Sequence, residues 1–356
     1  MSEDAYRRLS RQLDAMPNGF PSAESGADLR LLKKLFTPEE AALAADMTSH
    51  REPAASIAGR AGLDPQDALN MLKAMARREL IRVGRQEGQL TFGLSPMFVG
   101  YFEGQLARFD RELAELFEAY FTETGGVVAH WAPAVHRIIP VEEAVPAGIE
   151  FYAYERASAL LEGAQAWAVR DCICRVQQKL LGKGCDRPME SCIAFGPVPG
   201  MFDGVQAMRS ISRDEALQIL REAEDAGLVH SPGNYRDGHF YICNCCTCCC
   251  GVLRSVAEFG LPTAIARADF VAVSDEELCA ACGECLDRCQ FGALSLSEGF
   301  CQVDAGRCVG CGLCVTTCAP SALHLERRPP GEVLPPPANV GEWLTERAHA
   351  RGLEGW

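Results

Sequence analysis

The N-terminal third of this 356-residue chain contains no cysteine, and nowhere is there an uninterrupted apolar run of about 18 residues long enough to span a bilayer. The opening stretch "MSEDAYRRLSRQLDAMPNGF" lacks the apolar segment of a secretory signal, so the sequence reads as cytoplasmic. Glycine-rich dinucleotide fingerprints, P-loops and nucleophile motifs are missing too, which leaves flavin, nicotinamide and nucleotide-hydrolysing chemistry without support. Against these absences stand 19 cysteines in 38.6 kDa, far above ordinary usage. In a reducing compartment, so many thiols in tight clusters point to metal ligation and away from a disulfide framework.

The clearest chemistry lies toward the C-terminus. "CAACGECLDRCQFGAL" from Cys279 and "CVGCGLCVTTCAPSAL" from Cys308 both read C-x2-C-x2-C-x3-C, with Gly, Ala and Leu recurring at matching offsets. This internal repeat is the signature of a bacterial two-cluster ferredoxin, in which three cysteines of one run and the fourth of the other hold each cubane. Cys279, Cys282, Cys285 and Cys318 are expected to hold one [4Fe-4S] cluster, and Cys308, Cys311, Cys314 and Cys289 the second. Gly283 and Gly312 would let the backbone approach the inorganic core. A zinc ribbon would leave the third and fourth cysteine of each run without a role. Where the usual pattern has proline after the fourth cysteine, this chain has Gln290 and Ala319. Cys301 reads as a buried small hydrophobe and not a ligand. Residues 268–326 carry nine acids against two bases, half of the chain's net charge of −14. That is either plain solubility or an acidic docking face for a basic redox partner.

Upstream, "RDCICRVQQKLLGKGCDRPMESC" supplies Cys172, Cys174, Cys185 and Cys192, and "YICNCCTCCC" adds Cys243, Cys245, Cys246, Cys248, Cys249 and Cys250. Ten thiols exceed the needs of one cluster, so one or two additional iron–sulfur clusters are expected here, with zinc as the alternative. The first four could hold a cubane by themselves, offset by Arg175 and Lys183, or pair with the later segment. If residues 243–250 are extended, Cys246, Cys248 and Cys250 share one face and Cys243, Cys245 and Cys249 the other.

The pairing of "CICR" with "ICNCCTCCC" ahead of a dicluster ferredoxin module resembles a group of multi-cluster four-iron proteins of anaerobic bacteria, the "4Fe-4S dicluster domain-containing" proteins. The resemblance extends to the N-terminal "LFTPEEAALA". It implies clusters and electron transfer and names no reaction.

The remaining segments read as architecture. "PEEAALAADM", "EPAASIAGRAGL" and "DPQDALNMLKAMARRELIRVG" are expected helices, each with Pro near its first turn, and "LIRVGRQEGQLTFGL" a hairpin with Gly88 at its tip, a winged-helix outline. Lys73, Arg77, Arg78, Arg82 and Arg85 would suit DNA phosphates, yet ten bases against nine acids over residues 28–100 lack the bias of a DNA-binding module. "YFEGQLARFDRELAELFEAYF" and "ERASALLEGAQAWAV" read as connector helices, and "SRDEALQILREAEDAGLVH" as a helix capped by Ser212 and Glu215. His230 and His239, flanking the hairpin that follows, read as structural residues before metal ligands. Six segments are expected: an N-terminal segment 1–27, a winged-helix-like domain 28–100, a helical connector 101–170, a Cys-rich iron–sulfur domain 171–262, a dicluster ferredoxin domain 263–326 and a Pro-rich tail 327–356. The fold class is α+β multidomain, with a C-terminal bacterial-type 2[4Fe-4S] ferredoxin fold. The functional expectation is an electron-transfer protein, or the electron-transfer subunit of an anaerobic redox complex. The alternatives are a redox-sensing winged-helix regulator and an enzyme whose upstream cluster binds substrate.

Overall fold

The computed structural model describes residues 2–126, 129–149 and 151–354 and is mixed α/β, with 40% helix and 18% strand. The chain gathers into two compact units. One lies within Met1–Val128 and takes in Leu180–Gly182 and the segment from Arg347 onward; the other lies within Ala129–Lys179 and Lys183–Glu346.

In the first unit, local sequence signals start the helices where they are found. Thr37 opens the helix Pro38–Ala45 with a reciprocal cap: its hydroxyl accepts from the Glu40 amide at 3.2 Å while the Glu40 carboxylate accepts from the Thr37 amide at 2.9 Å. Asp64 caps Pro65–Arg77 by accepting from the amides of Gln66 and Asp67. That helix buries Ala68, Leu72 and Met75, a stripe at helical spacing that joins Leu31, Leu43, Ile57 and Phe92 in the core. Strands β1 (Glu52–Pro53), β2 (Ile81–Gln86) and β3 (Gln89–Leu94) form an antiparallel sheet ordered β1-β3-β2. Glu87 (φ 51°) and Gly88 (φ 80°) turn the β2–β3 hairpin, both in the left-handed region that a two-residue turn of this hand requires. The connector expected as one helix from Tyr101 is interrupted. Asp110 caps a separate helix, Arg111–Glu123, by accepting from the Leu113 amide at 2.8 Å, because an aspartate ahead of a helical run satisfies amides that a continuous helix would have to bond elsewhere.

The second unit is built on a five-stranded antiparallel sheet. Its strands are β5 (Ala166–Asp171), β6 (Glu190–Gly196), β7 (Arg209–Ile211), β8 (Val229–Pro232) and β9 (Tyr241–Cys245), ordered β7-β5-β6-β9-β8, while β4 (His136–Arg137) pairs elsewhere, with β10 (Ile265–Ala266). One face packs Val169, Ile193, Phe195 and Ile242 against Leu161 of the helix Ala157–Glu162 and Ala216 and Leu220 of the helix Arg213–Asp225. Ser212 caps the latter by accepting from the Glu215 amide at 3.1 Å. The stretch read as a helix running into Cys172 is instead a short helix that stops at Gly163, followed by β5. With a period of two, Val169 faces the core, and Cys172 just past the strand falls in phase with the opposite face.

The same unit continues into β11 (Phe270–Ser274), β12 (Leu294–Ser297), β13 (Phe300–Val303) and β14 (Leu323–Arg327), paired β11 with β14 and β12 with β13. A short helix lies in each half, Glu284–Arg288 and Leu313–Thr316. Strand, cysteine loop, helical turn and strand thus occur twice, at the offset that separates Cys279 from Cys308. A buried ion pair, Arg137 to Asp269 at 2.8 Å, ties the start of this repeat to β4. Trp343, in the Pro-rich tail, is buried, its indole N–H donating to the Ala134 carbonyl at 2.8 Å.

Candidate metal centres

Each half of the C-terminal repeat forms a concave cavity partly open to solvent. The first, about 340 Å³, is lined by Cys279, Cys282 and Cys285 of the first run and by Cys318 of the second. The second, about 360 Å³, is lined by Cys308, Cys311 and Cys314 and by Cys289. The loops that bring three thiols of a run together need left-handed backbone at two matching positions. These are Ala281 (φ 52°) and Gly283 (φ 82°) in the first loop, Gly310 (φ 75°) and Gly312 (φ 76°) in the second. Glycine is needed at 310 because a Cβ there would run into the Phe270 carbonyl. Amides point at the sulfurs in equivalent ways: Cys301 donates to Cys279 Sγ at 3.3 Å, Ala272 to Cys308 Sγ at 3.5 Å, and Ala293 to Cys289 Sγ at 3.4 Å. Such donors stabilise thiolate over thiol.

Burial acts the other way. It pushes the Cys311 thiol up to about 12 and Cys314 higher still, with the neighbouring thiolates adding to the rise. Buried thiols that converge from two loops fit a cationic inorganic group that would compensate the charge of their thiolates. Cys301, expected to be inert, is buried and also lines the first cavity, its sulfur 3.6 Å from Cys285 Sγ. Nothing in the sequence marks that placement, since it depends on β13 lying against the first loop.

The ten upstream thiols divide into a six and a four. Cys192 on β6 and Cys243 and Cys245 on β9 share the sheet face opposite the apolar core, in phase with Cys172 beyond β5. Thiol-to-thiol contacts link Cys172 to Cys174 and Cys192, Cys192 to Cys243, Cys243 to Cys245, Cys245 to Cys250, and Cys250 back to Cys174. The six close a ring. Within it, hydrogen bonds from Cys174 and Cys192 hold the Cys172 thiol well below the usual range, and the same contact with Cys172 pushes Cys174 well above it.

The other four are Cys185, Cys246, Cys248 and Cys249, whose sulfurs all lie within 4.8 Å of one another. Cys185 Sγ is 4.0 Å from Cys246 Sγ and 3.8 Å from Cys249 Sγ, and Cys249 is 3.8 Å from Cys248. The strand ends at Cys245 and the chain turns, the Cys250 amide donating to the Cys246 carbonyl at 3.0 Å. The face-by-face division expected for an extended 243–250 therefore fails at the turn: Cys249 joins Cys246 and Cys248, and Cys250 joins Cys243 and Cys245. Cys172, Cys174, Cys185 and Cys192 likewise do not form one set, because Cys185 is carried to the other group.

Arg175 stands between the two groups, 1% exposed. Its Nη1 donates to the Asn244 carbonyl at 3.1 Å and to Cys246 Sγ at 3.8 Å, its Nη2 donates to Ser191 Oγ, and none of these partners is a carboxylate. A buried guanidinium requires compensating anions, and the charges acting on it are the thiolates of Cys172, Cys246 and Cys245. Lys183, the second expected counter-charge, is exposed. Arg187 takes that role, donating to Cys248 Sγ at 3.5 Å. His230 is held by Asn244 at 2.6 Å and Glu224 at 2.8 Å, and His239 stacks on Tyr235, so both serve the framework.

Gln290, where the ferredoxin pattern has proline, joins the two cysteine systems. Its Oε1 accepts from the Thr247 amide at 2.9 Å, inside the four-thiol loop, and its Nε2 donates to the Gly227 carbonyl. Comparison with known proteins finds no matching family model, no matching curated protein and no matching solved structure.

Proposed function

We propose that this protein is an iron–sulfur electron carrier, or the electron-transfer subunit of a larger redox complex, with a [4Fe-4S] cluster in each C-terminal cavity and a further cluster on the six-thiol ring. The observation that carries the reading is the lining of the two cavities: each draws three cysteines from one C-x2-C-x2-C loop and another from the fourth position of the other run, with Cys301 beside them in the first. A bound four-iron cluster supplies one-electron transfer. The chain's own contribution is to hold the thiolates, aim amides at them and limit access by water. Electrons would leave near Cys282, which is exposed and sits among the exposed Glu276, Glu277, Leu278 and Glu284, an acidic and apolar surface suited to a basic redox partner.

The N-terminal helices and the β1-β3-β2 sheet follow a winged-helix outline, which we read as a docking or structural module. Three of its candidate phosphate-binding residues are engaged within the chain: Arg78 pairs with Glu40, and Arg82 and Arg85 donate to the carbonyls of Ser49 and Gly88. Weak, steeply salt-dependent binding to duplex DNA without sequence preference is expected. Tight binding to one promoter fragment that changes with cluster oxidation would favour the regulator instead.

The deciding measurement is iron and acid-labile sulfide per chain on anaerobically purified protein. Two cubanes account for about eight irons and eight sulfides, and a cluster on the ring adds to both. Protein that binds no inorganic sulfide under those conditions would end the proposal.

A further inference from the structure

The spacing of the four-thiol group differs in kind from that of a cluster site. A cubane carries its thiolates on four different irons, so the inorganic core holds them well apart; among the described residues, no three cysteines of the C-terminal repeat bring their sulfurs within 4.8 Å of one another. Thiolates that share one ion must instead touch. For a metal–sulfur bond of about 2.3 Å, the edge of a tetrahedron of sulfurs is about 3.8 Å. The separations in the structure are 3.8 Å (Cys185–Cys249), 3.8 Å (Cys248–Cys249) and 4.0 Å (Cys185–Cys246), and every pair lies within 4.8 Å. We infer that Cys185, Cys246, Cys248 and Cys249 hold a single tetrahedral metal ion, zinc or iron, and not an iron–sulfur cluster.

Charge and backbone agree with one ion. A divalent cation among four thiolates leaves two negative charges, and two guanidinium groups stand against these sulfurs, Arg175 at Cys246 and Arg187 at Cys248. Three ligands come from one tight turn closed by the Cys250 amide on the Cys246 carbonyl, with the Cys249 amide also directed there at 3.4 Å. The fourth, Cys185, arrives from the loop between the helix Ile173–Leu180 and β6. The site therefore fastens that loop to the turn after β9. It is independent of the ferredoxin reading, because it shares no cysteine with either cavity or with the ring.

The experiment measures zinc, iron and inorganic sulfide in the anaerobically purified full chain and in Cys248→Ala, Cys185→Ala and Cys248→His. Both alanine variants are expected to lose one metal atom per chain and no sulfide, with the elemental analysis naming the ion. Cys248→His is expected to keep the ion, since a three-cysteine, one-histidine tetrahedron is a common site for a single metal. Loss of about four irons together with about four sulfides would mean a cubane on these cysteines, and unchanged metal content would mean no site; either overturns the inference. If the alanine variants do not accumulate, Cys248→His decides alone: the ion retained without change in sulfide supports it, and iron and sulfide lost together refute it. Absence of all sulfide in the wild-type protein would defeat the ferredoxin reading while leaving the single-ion count unaffected.

Discussion

The C-terminal repeat and the upstream cysteine block use the same side chain for opposite geometries. In the repeat, nine thiols stand around two cavities, and amides of β11, of β13 and of the turn before β12 point at three of their sulfurs. In the upstream block, thiols touch within a ring of six and within a group of four, and the cations set against them are arginines. Charge is met by backbone dipoles where the chain curls around a volume, and by full cations where sulfurs are packed together. Thiol count alone therefore says little about what a cysteine-rich segment holds; spacing and the source of compensation say more.

The largest effect that separates the two regions concerns ligands. Cys289→Ala should remove about four irons, those of the cavity lined by Cys308, Cys311 and Cys314, while the upstream metal is retained. Loss confined to the signal of the other cavity, measured by iron analysis and electron paramagnetic resonance, would show that the fourth cysteines do not cross between runs.

Next in size is Arg175→Ala. Removing a buried cation from among thiolates leaves them uncompensated, which costs about 3–5 kcal/mol for a broken buried pair. Denaturant unfolding should show that loss together with depleted upstream metal, and the C-terminal clusters should keep their spectra. Equal damage to both regions would mean that Arg175 serves the whole unit and not the upstream thiols.

Acid should also act unevenly. His136 is buried beside Tyr241 of β9, and burial lowers its pKa from 6.5 to about 4. The unfolded chain takes up a proton below about 6.5 that the folded chain refuses until about 4, so this contribution is intact above 6.5 and is lost as pH falls toward 4, by about 3 kcal/mol. From pH 7.5 to 4.5 the unfolding free energy should fall further for wild type than for His136→Phe. A difference independent of pH would show that His136 is protonated equally in both states.

Smallest is Gln290→Pro, which restores the ferredoxin pattern and removes hydrogen bonds to Thr247 and Gly227, each worth about 0.5–1.5 kcal/mol. Both sets of clusters should survive, with a modest fall in stability. Loss of metal from the four-thiol loop in this variant would make Gln290 part of that site's support.

What the sequence made legible was local. Thr37, Asp64 and Ser212 start helices because each offers an oxygen to amides two or three residues on, a contact that tertiary packing does not need to create. The left-handed positions at Gly283 and Gly312 are likewise written in the residue type. The breaks were less visible. Asp110 lies inside a run of aromatic and leucine residues whose spacing suits a longer helix, and the apolar stretch 164–169 suits a helix or a strand equally until the sheet claims it. The division of the upstream thiols was out of reach for a related reason: it turns on the chain bending after Cys245, and nothing in "CCTCCC" distinguishes an extended segment from a turn. Cys185 joins the later cysteines only because the loop before β6 folds back to them, a contact 61 residues away in sequence.

If the two C-terminal cavities hold clusters, the exchange of a fourth cysteine between them would also set the order of assembly. As the chain is synthesised, Cys289 emerges well before the three cysteines it will join, and the first loop waits for Cys318. Neither cavity has all its thiols until the second run exists, a delay of a few seconds at about 5–20 residues per second. During that interval the nascent chain presents Cys279, Cys282 and Cys285 as an incomplete set, open to oxidation or to the wrong ion. Within residues 308–318 both sets then become complete almost together, so on the cluster reading insertion of the inorganic cores would follow translation of the repeat and not accompany it.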